Sequence, residues 1–427
     1  MNEILKALDS INFWNAKPGI TPGFIRKAYL NRITKSLNNK LIKVIVGQRR
    51  VGKSYIIRQI INYLIEERSV DPRNIFYLNK EMYEFESINT AVRLAEIVRL
   101  YEKEITPAGK VYLFIDEVQN IADWEKIIVS FAQHPVKDYE VFITGSNATL
   151  LSGELASFLS GRYIVFEVFP FSYNEFLGYH SYENQKQNFI KYFETSGLPE
   201  IYNIESDEIR KHYFQSLKDT ILLKDIMYRH KIRDYVLLED LFLLLLHNVG
   251  NQTSVPAIIK YFKSRNRKTD YSTLSAYLSY MEEAFIVRQS PRYFIKTKEL
   301  LSGEKKYFIN DLGFRNYLFP KLKSDIAAIL ENIVFLHLRN AGYTVSTGYG
   351  NNFEVDFVAT KNEFTIYVQV AYLLATEKTI QREFGAFEKI NDHFPKYVVS
   401  MDDLLMKYSK GIIHENIWGF INHLTSL

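Results

Sequence analysis

The chain has 427 residues, 47% hydrophobic and 24% charged, with no cysteine and a formal net charge of +4. That length and balance fit a globular protein of two to four domains and exclude a disordered chain. The missing cysteine removes disulfides and thiolate metal sites, the nine histidines never stand at ligand spacing, and the longest apolar run, LFLLLLHNV, is too short to span a bilayer.

The opening MNEILKALDSINFW has neither a basic n-region nor a long apolar core. No signal peptide is expected, and a cytoplasmic location without a membrane partner is. Residues 44–60 then read VIVGQRRVGKSYIIRQI and fit GxxxxGK[ST] through Gly47, Gly52, Lys53 and Ser54. Such a loop wraps a phosphate chain. Its N–H groups point inward, the lysine reaches the terminal phosphates, and the serine hydroxyl binds Mg²⁺. The helix that follows adds the positive end of its dipole. Arg49, Arg50 and Val51 inside the loop, and Tyr55 just after it, join the nucleotide-binding candidates. The two arginines either touch phosphate or face solvent.

NIFYLN is the next strand candidate, and KVYLFIDEVQN follows. In the latter, Val111 to Ile115 form a strand that delivers Asp116 and Glu117 at its tip. Asp116 would hold Mg²⁺ through water, and Glu117 would activate the attacking water. YEVFITGSN ends a further strand in Thr144, Ser146 and Asn147. Asn147 is the candidate for contact with the γ-phosphate or the water, because an amide donates and accepts at once. Its other reading, with Ser146, is a helix cap. RYIVFEVFP gives the fifth strand. Arg162 stands before it, either as an arginine finger in this subunit or a neighbour, or paired with an acid such as Glu154. Helical segments at 53–67, 88–105 and 123–133 separate the strands, so the expected fold is α/β with a parallel sheet covered on both faces. No NKxD element follows late in the sheet, since NKEM at Asn79–Met82 precedes Asp116. Adenine is therefore favoured over guanine, and the Asp116–Glu117 pair favours hydrolysis by water over transfer to a small molecule.

The strings GQRRVGKS, LFIDEVQN, ITGSN and LSGELASFLSGRYIVFEVFPFSYNEF, in that order, resemble the AAA+-type predicted ATPases of bacteria and archaea. That family joins an AAA+ module to a C-terminal domain of unknown function. SGLPEIY and TILLKDIMYRHKI resemble its linker, so the likeness covers nearly the whole chain. It implies ATP and Mg²⁺ as ligands, a Walker A motif from Gly47 to Ser54, a Walker B motif at Asp116 and Glu117, and a sensor at Asn147. The catalytic set is then Glu117, Asn147 and Arg162, and the metal ligands are Ser54 and Asp116.

Residues 1–180 form the P-loop domain in this reading, and 181–235 a helical lid or linker broken at Gly197–Glu200. In 236–310, three helices and the strands RQSPRYFI and KKYFIND, joined by KTKELLSGE, suggest a winged helix. Residues 260–306 hold eleven Lys or Arg against five Asp or Glu. The segment is a candidate DNA-binding face or a solvated surface. The helix STLSAYLSYMEEAF has no Lys or Arg and carries Glu282 and Glu283, which counts against base reading. In 311–427, a helix bearing Glu331, a strand bearing Asp356 and a strand bearing Gln369 are similar to the PD-(D/E)XK nuclease outline, which holds a metal. The lysine position of that outline is Ala371, and Gln369 replaces a carboxylate. Lys361 and Lys378 are candidates for a displaced lysine, but neither stands on the required strand. An inactive nuclease-like domain is expected. The functional expectation is an ATPase whose nucleotide state controls a C-terminal interaction module, with an unidentified protein partner and possible oligomers. The alternatives are a nucleotide-gated binding protein with negligible turnover and an ATP-dependent DNA-processing protein.

Overall fold

Runs of β-branched and aromatic residues bounded by turns favour strands, and each expected run in the first part of the chain becomes one. The computed structural model describes residues 2–14, 21–151, 161–319, 326–406 and 411–424. It falls into two units, Met1–Val168 and Phe169–Leu427. In the first unit the strands are β1 (Ile42–Val46), β2 (Ile75–Asn79), β3 (Val111–Asp116), β4 (Tyr139–Gly145) and β5 (Tyr163–Glu167). They are all parallel, in the order β2-β3-β4-β1-β5. The helices Lys53–Glu66, Ala91–Ile105 and Trp124–Ala132 connect them, close to the expected spans. β1, β3 and β4 are buried along their whole lengths, as strands covered on both faces are. β4 lies between β1 and β3. Whatever follows β4 therefore stands between the P-loop after β1 and the acids at the end of β3.

The exposed edge of β2 is covered from within the chain. Asn12 donates through Nδ2 to the Tyr77 carbonyl at 2.9 Å and accepts from the Tyr77 N–H at 2.7 Å, as a neighbouring strand would. Trp14 Nε1 donates to the Ile75 carbonyl at 2.7 Å. An amide and an indole thus occupy groups that would otherwise invite another chain.

The second unit begins with helices Tyr173–His180, Lys186–Glu194 and Asp207–Thr220, the last running into a π-helical stretch at Ile221–Tyr228. Three further helices follow, Tyr235–His247, Val255–Ser264 and Tyr271–Glu283. Each is N-capped by a side chain, Asp234, Ser254 and Asp270. The short β6 (Gln252–Thr253) precedes the second of them. The hairpin β7 (Val287–Phe294) and β8 (Glu299–Ile309) follows the third. β8 takes in much of KTKELLSGE, read above as a connector. Leu300 and Leu301 continue the ladder opposite Tyr293 and Arg292. The register breaks between Ser290 and Arg292, at Pro291, which has no N–H to give a ladder.

After the helix Ile326–Asn340 come β9 (Thr344–Gly350), β10 (Phe353–Lys361), β11 (Phe364–Val370), β12 (Lys396–Ser400) and β13 (Ile412–Asn416). They share one sheet with the hairpin, in the order β13-β12-β11-β10-β9-β7-β8-β6. The join is a parallel pairing of Arg292, Tyr293 and Phe294 with Thr347, Gly348 and Tyr349. A boundary at 310/311 would cut β8 from the sheet it belongs to. The first unit ends at Val168.

Asp311, buried just past β8, fastens the SGLPE break to the end of this sheet. Its carboxylate accepts from Ser196 Oγ at 2.7 Å, from the Gly197 N–H at 2.7 Å and from the Gly313 N–H at 2.8 Å. Burial pushes its pKa up from 3.8 to about 6 although these donors oppose the shift. Asp311→Asn would set an NH₂ group against these donors. A loss of about 1–3 kcal/mol in urea unfolding is expected at pH 7. A folded pKa above the unfolded one means that the carboxyl's contribution is complete below 3.8 and declines as pH rises through about 6. Asp311→Asn should remove that decline from the stability–pH profile.

Candidate nucleotide site

The P-loop owes its path to two glycines. A Cβ on Gly47 would lie 2.3 Å from the Val168 carbonyl oxygen, so only a hydrogen fits there. Gly52 caps the helix Lys53–Glu66 at φ +94, where an L side chain is strained. Val51 is buried, and its carbonyl accepts from Arg26 at 3.0 Å. Gln59, two turns into the helix, holds the segment 22–26 beside the loop. It donates to the Pro22 and Phe24 carbonyls at 3.0 and 2.8 Å and accepts from the Arg26 N–H at 3.0 Å. Gly23 packs on the Tyr55 ring, which stays 45% exposed. Sequence reasoning missed this segment. Its signal was the string TPGF, whose glycine has φ +65.

The carboxyl ends of the strands bring together most of the candidates. Asp116 is fully buried. It accepts from Thr144 Oγ1, from the Ser54 hydroxyl, and from the Tyr77 hydroxyl at 3.2 Å. Ser54 and Asp116, the two expected Mg²⁺ ligands, are thus already in contact. Thr144 also takes the Glu117 N–H at 2.9 Å, which holds Glu117 in the left-handed conformation at φ 56. Lys53 is 5% exposed. Its Nζ donates to the Gly47 and Gln48 carbonyls at 3.0 and 3.3 Å and lies 3.5 Å from Glu117 Oε1. Gln119 donates to the other Glu117 oxygen and reaches Ser146 Oγ at 3.4 Å. Asn147 is buried beside them, and its carbonyl accepts from Leu150 at 3.4 Å, so it also opens the short helix that follows. Thr144, Tyr77 and Gln119 are the partners that sequence reasoning did not single out as a set.

The two acids are biased in opposite directions. Burial, then the neighbouring Glu117, raises Asp116, while Ser54, Thr144 and Lys53 oppose the rise. Burial also acts to raise Glu117, but Lys53, Arg49, Gln119 and Ser146 together hold it below the ordinary carboxylate value. Glu117 is thus kept anionic, the state a base needs. The residues fit a magnesium nucleotide. A buried carboxylate and a hydroxyl can take the metal, and a buried ammonium and a glycine cradle can take the phosphates.

Three arginine candidates remain. Arg49 pairs with Glu81 after β2. Arg50, at φ 73, is exposed. Arg162 is exposed at the start of β5, where its carbonyl accepts from the Ile42 N–H at 2.9 Å. Ile42 begins β1, and the P-loop follows the other end of that strand, roughly 16 Å away at about 3.3 Å per residue. Arg162 therefore does not reach this chain's own P-loop, which leaves only the neighbouring-subunit form of that expectation. Glu154, its alternative partner, lies outside the described residues. In the second unit, Lys361 Nζ lies over the Tyr343 ring at 5.3 Å, and Lys378 is in the helix Glu377–Gly385. The ammonium that meets Asp356 is instead that of Lys306, on β8.

Thr144 ties both acids with one hydroxyl, so Thr144→Val should leave a buried N–H and a carboxylate oxygen short of partners. Unfolding free energy should fall by about 1–3 kcal/mol. Thr144→Ser, which keeps the hydroxyl, should recover most of the loss in the same denaturant titration.

Residues 39–177 match the family described as AAA domain, and residues 186–325 match a domain of unknown function (DUF8612). A protein of Haemophilus influenzae described as uncharacterized is 34% identical over 384 residues, covering 88% of this chain and 92% of the relative. An uncharacterized protein of Methanocaldococcus jannaschii is 31% identical over 370 residues, covering 83% and 79%. Among solved structures, a Walker-type ATPase of Pyrococcus abyssi is similar at a TM-score of 0.33 and 14% identity, over 69% of this chain and 95% of that one. The Aeropyrum pernix ORC1 protein in complex with DNA is similar at 0.30 and 13%, over 71% and 94%.

Proposed function

The chain belongs to the AAA-domain family that these bacterial and archaeal relatives share, and from that premise we propose that it binds ATP with Mg²⁺, hydrolyses it, and uses the nucleotide state to control an interaction of its C-terminal part with an unidentified protein. The observation that carries the hydrolysis is the contact of Ser54 with Asp116 while Lys53 stands 3.5 Å from Glu117. The groups for metal, phosphate and water then converge on one point. Mg²⁺, held by Ser54 and Asp116, would neutralise phosphate charge. Lys53 would leave the Gly47 and Gln48 carbonyls and Glu117 for the terminal phosphates. Glu117, no longer paired, would take a proton from the attacking water, with Gln119 fixing the carboxylate. Asn147 would orient the water or the γ-phosphate. A subunit neighbour would have to supply any arginine from position 162.

Lys53→Ala should abolish ATP binding, because an ammonium and its three donors leave the phosphate site. Glu117→Gln should slow turnover by about 100-fold or more. ATP affinity in Glu117→Gln should equal or exceed that of the unaltered chain, since no carboxylate competes for Lys53. Equilibrium binding of a fluorescent ATP analogue and single-turnover hydrolysis measure the two quantities. Glu117→Gln hydrolysing at the unaltered rate would overturn the role given to Glu117, and negligible single-turnover hydrolysis by the unaltered chain would leave the alternative, nucleotide-gated binding.

A second reading, contact with DNA, is favoured by one topological observation. β6 pairs with β8, β8 with β7, and three helices precede the hairpin, an order of elements that supports the winged-helix reading. Lys260, Lys263, Arg265 and Lys268 are exposed there. Arg267 is not available, because it pairs with Asp234 and Asp240 at 2.8 and 2.9 Å. Changing the four exposed cations to Glu should weaken binding to duplexes of any sequence and flatten its salt dependence in fluorescence anisotropy. Absence of binding at low salt in the unaltered chain would sink this reading.

A further inference from the structure

The nuclease-like outline of the C-terminal strands implies a divalent metal, and the side chains around Asp356 can be tested for it. Lys306 is 5% exposed and stands among three carboxylates. Its Nζ lies 3.0 Å from Glu331 Oε2, 3.2 Å from Glu354 Oε1 and 3.2 Å from Asp356 Oδ1. The carboxylates come from the helix Ile326–Asn340 and from β10, and the lysine comes from β8. Both contributing strands break register at this point. β8 does so between Lys306 and Leu301, and β10 between Val355 and Val358, which leaves Asp356 in a bulge. Register breaks re-aim side chains, and here they aim an ammonium and a carboxylate at each other across the sheet.

The remaining oxygens are turned to other work. Asp356 Oδ2 accepts from the Val370 N–H at 2.9 Å. Glu354 Oε2 accepts from Gln252 Nε2 at 2.7 Å. Gln369, which stands where the outline has a carboxylate on the next strand, uses its Oε1 to accept from the Asp356 N–H at 3.2 Å. Among the described residues, no group of three acidic or histidine side chains is disposed to hold a metal ion. Glu383, buried near Asp356, is paired through Oε1 with Arg382 and is also hydrogen-bonded by the Gln369 side chain. Any metal entering beside Glu383 would still have to share Asp356 with Lys306.

We propose that the Lys306 ammonium takes the place of a divalent cation in this cluster, which makes the cluster an ion-pair lock and not a metal-hydrolysis centre. The lock joins the basic hairpin, through β8, to the helix Ile326–Asn340 and to β10. A cation on a side chain cannot polarise a water as a metal does, nor can it leave. It holds three elements together at any concentration of free metal. Removing it would leave three carboxylates facing one another, and that set would then attract a divalent cation.

The test is Mn²⁺ uptake by the full chain without nucleotide, followed by electron paramagnetic resonance, in an Asp116→Asn background so that the P-loop site does not contribute. The parent should take up no Mn²⁺ at submillimolar concentration. Adding Lys306→Met should create one site, and adding Asp356→Asn to that variant should abolish it. One equivalent bound by the parent and lost on adding Asp356→Asn alone would overturn the proposal. Should Lys306→Met fail to fold, thermal unfolding gives the same decision. Under the proposal, Mn²⁺ leaves the melting temperature of the parent unchanged, and Glu331→Gln lowers it equally with and without Mn²⁺. A melting temperature raised by Mn²⁺ in the parent and no longer raised in Glu331→Gln would overturn it.

Discussion

A charge taken out of water has to be met by an opposite charge or by hydrogen-bond donors, and three lysines of this chain meet that demand in three ways. Lys43, at the amino end of β1, is fully buried against Glu140 of β4, with Lys110 3.3 Å from the same carboxylate. Burial lowers its pKa, and the single shared carboxylate does not fully reverse this. Lys306 has three carboxylates, and they more than reverse the effect of burial, so it is held charged well above its ordinary range. Lys53 has partners of another kind. Two carbonyls of its own loop and a carboxylate at 3.5 Å keep it buried. A phosphate chain can replace all three partners. What separates a lysine fixed in place from one poised to move is thus whether an incoming ligand can take over its partners.

The parallel sheet decides which charges can meet. Parallel strands send all their carboxyl ends to one side. With β4 between β1 and β3, Thr144, Ser146 and Asn147 fall between Lys53 and the two acids. That is why one threonine hydroxyl can serve both Asp116 and the Glu117 N–H. The same rule places Arg162 on the far side, since it precedes its strand and the P-loop follows its own. Position before or after a strand is readable from sequence. The end of the sheet that a residue reaches follows from it once the strands are known to be parallel.

Much of the first unit was legible because its signals are contiguous. The five strands, the three crossing helices and the pair Asp116–Glu117 each lie within one short string. Of the partners that tune the acids, Thr144 was marked as one of the small polar residues that end YEVFITGSN, whereas Tyr77 comes from another strand and carries no local mark. In the second unit the Glu331, Asp356 and Gln369 elements were legible, but Lys306 was not. It lies on a strand read as the wing of a separate module, 50 positions before Asp356. Only the parallel pairing of β7 with β9 and two register breaks bring it to the cluster. β12 and β13 were also missed; β12 follows a stretch of helix and turn with no periodic signal leading into it.

The join of hairpin and sheet also changes what the charge of residues 260–306 means. Read along the sequence, every Lys and Arg there counts toward an anion-binding face. In the fold, Arg288 packs over the Phe285 ring at 4.8 Å and donates to Asn310 at 3.2 Å. Arg292 stacks on Tyr349 at 4.0 Å. Arg267 ties the loop after the helix Val255–Ser264 to Asp234 and Asp240 of the helix before it, and Lys306 is buried in its cluster. Six cations and three acids remain exposed, half of the excess that the sequence displays. Guanidinium groups stack on aromatic faces and hold carboxylates in two directions at once, so in a chain this rich in tyrosine and phenylalanine a count of arginines overstates the field at the surface. The exposed remainder lies on the helix Val255–Ser264, on the loop after it and on the hairpin turn. With β7 paired on both edges, any contact the hairpin makes comes from the turn at Lys296 and Lys298 and not from a wing free to swing.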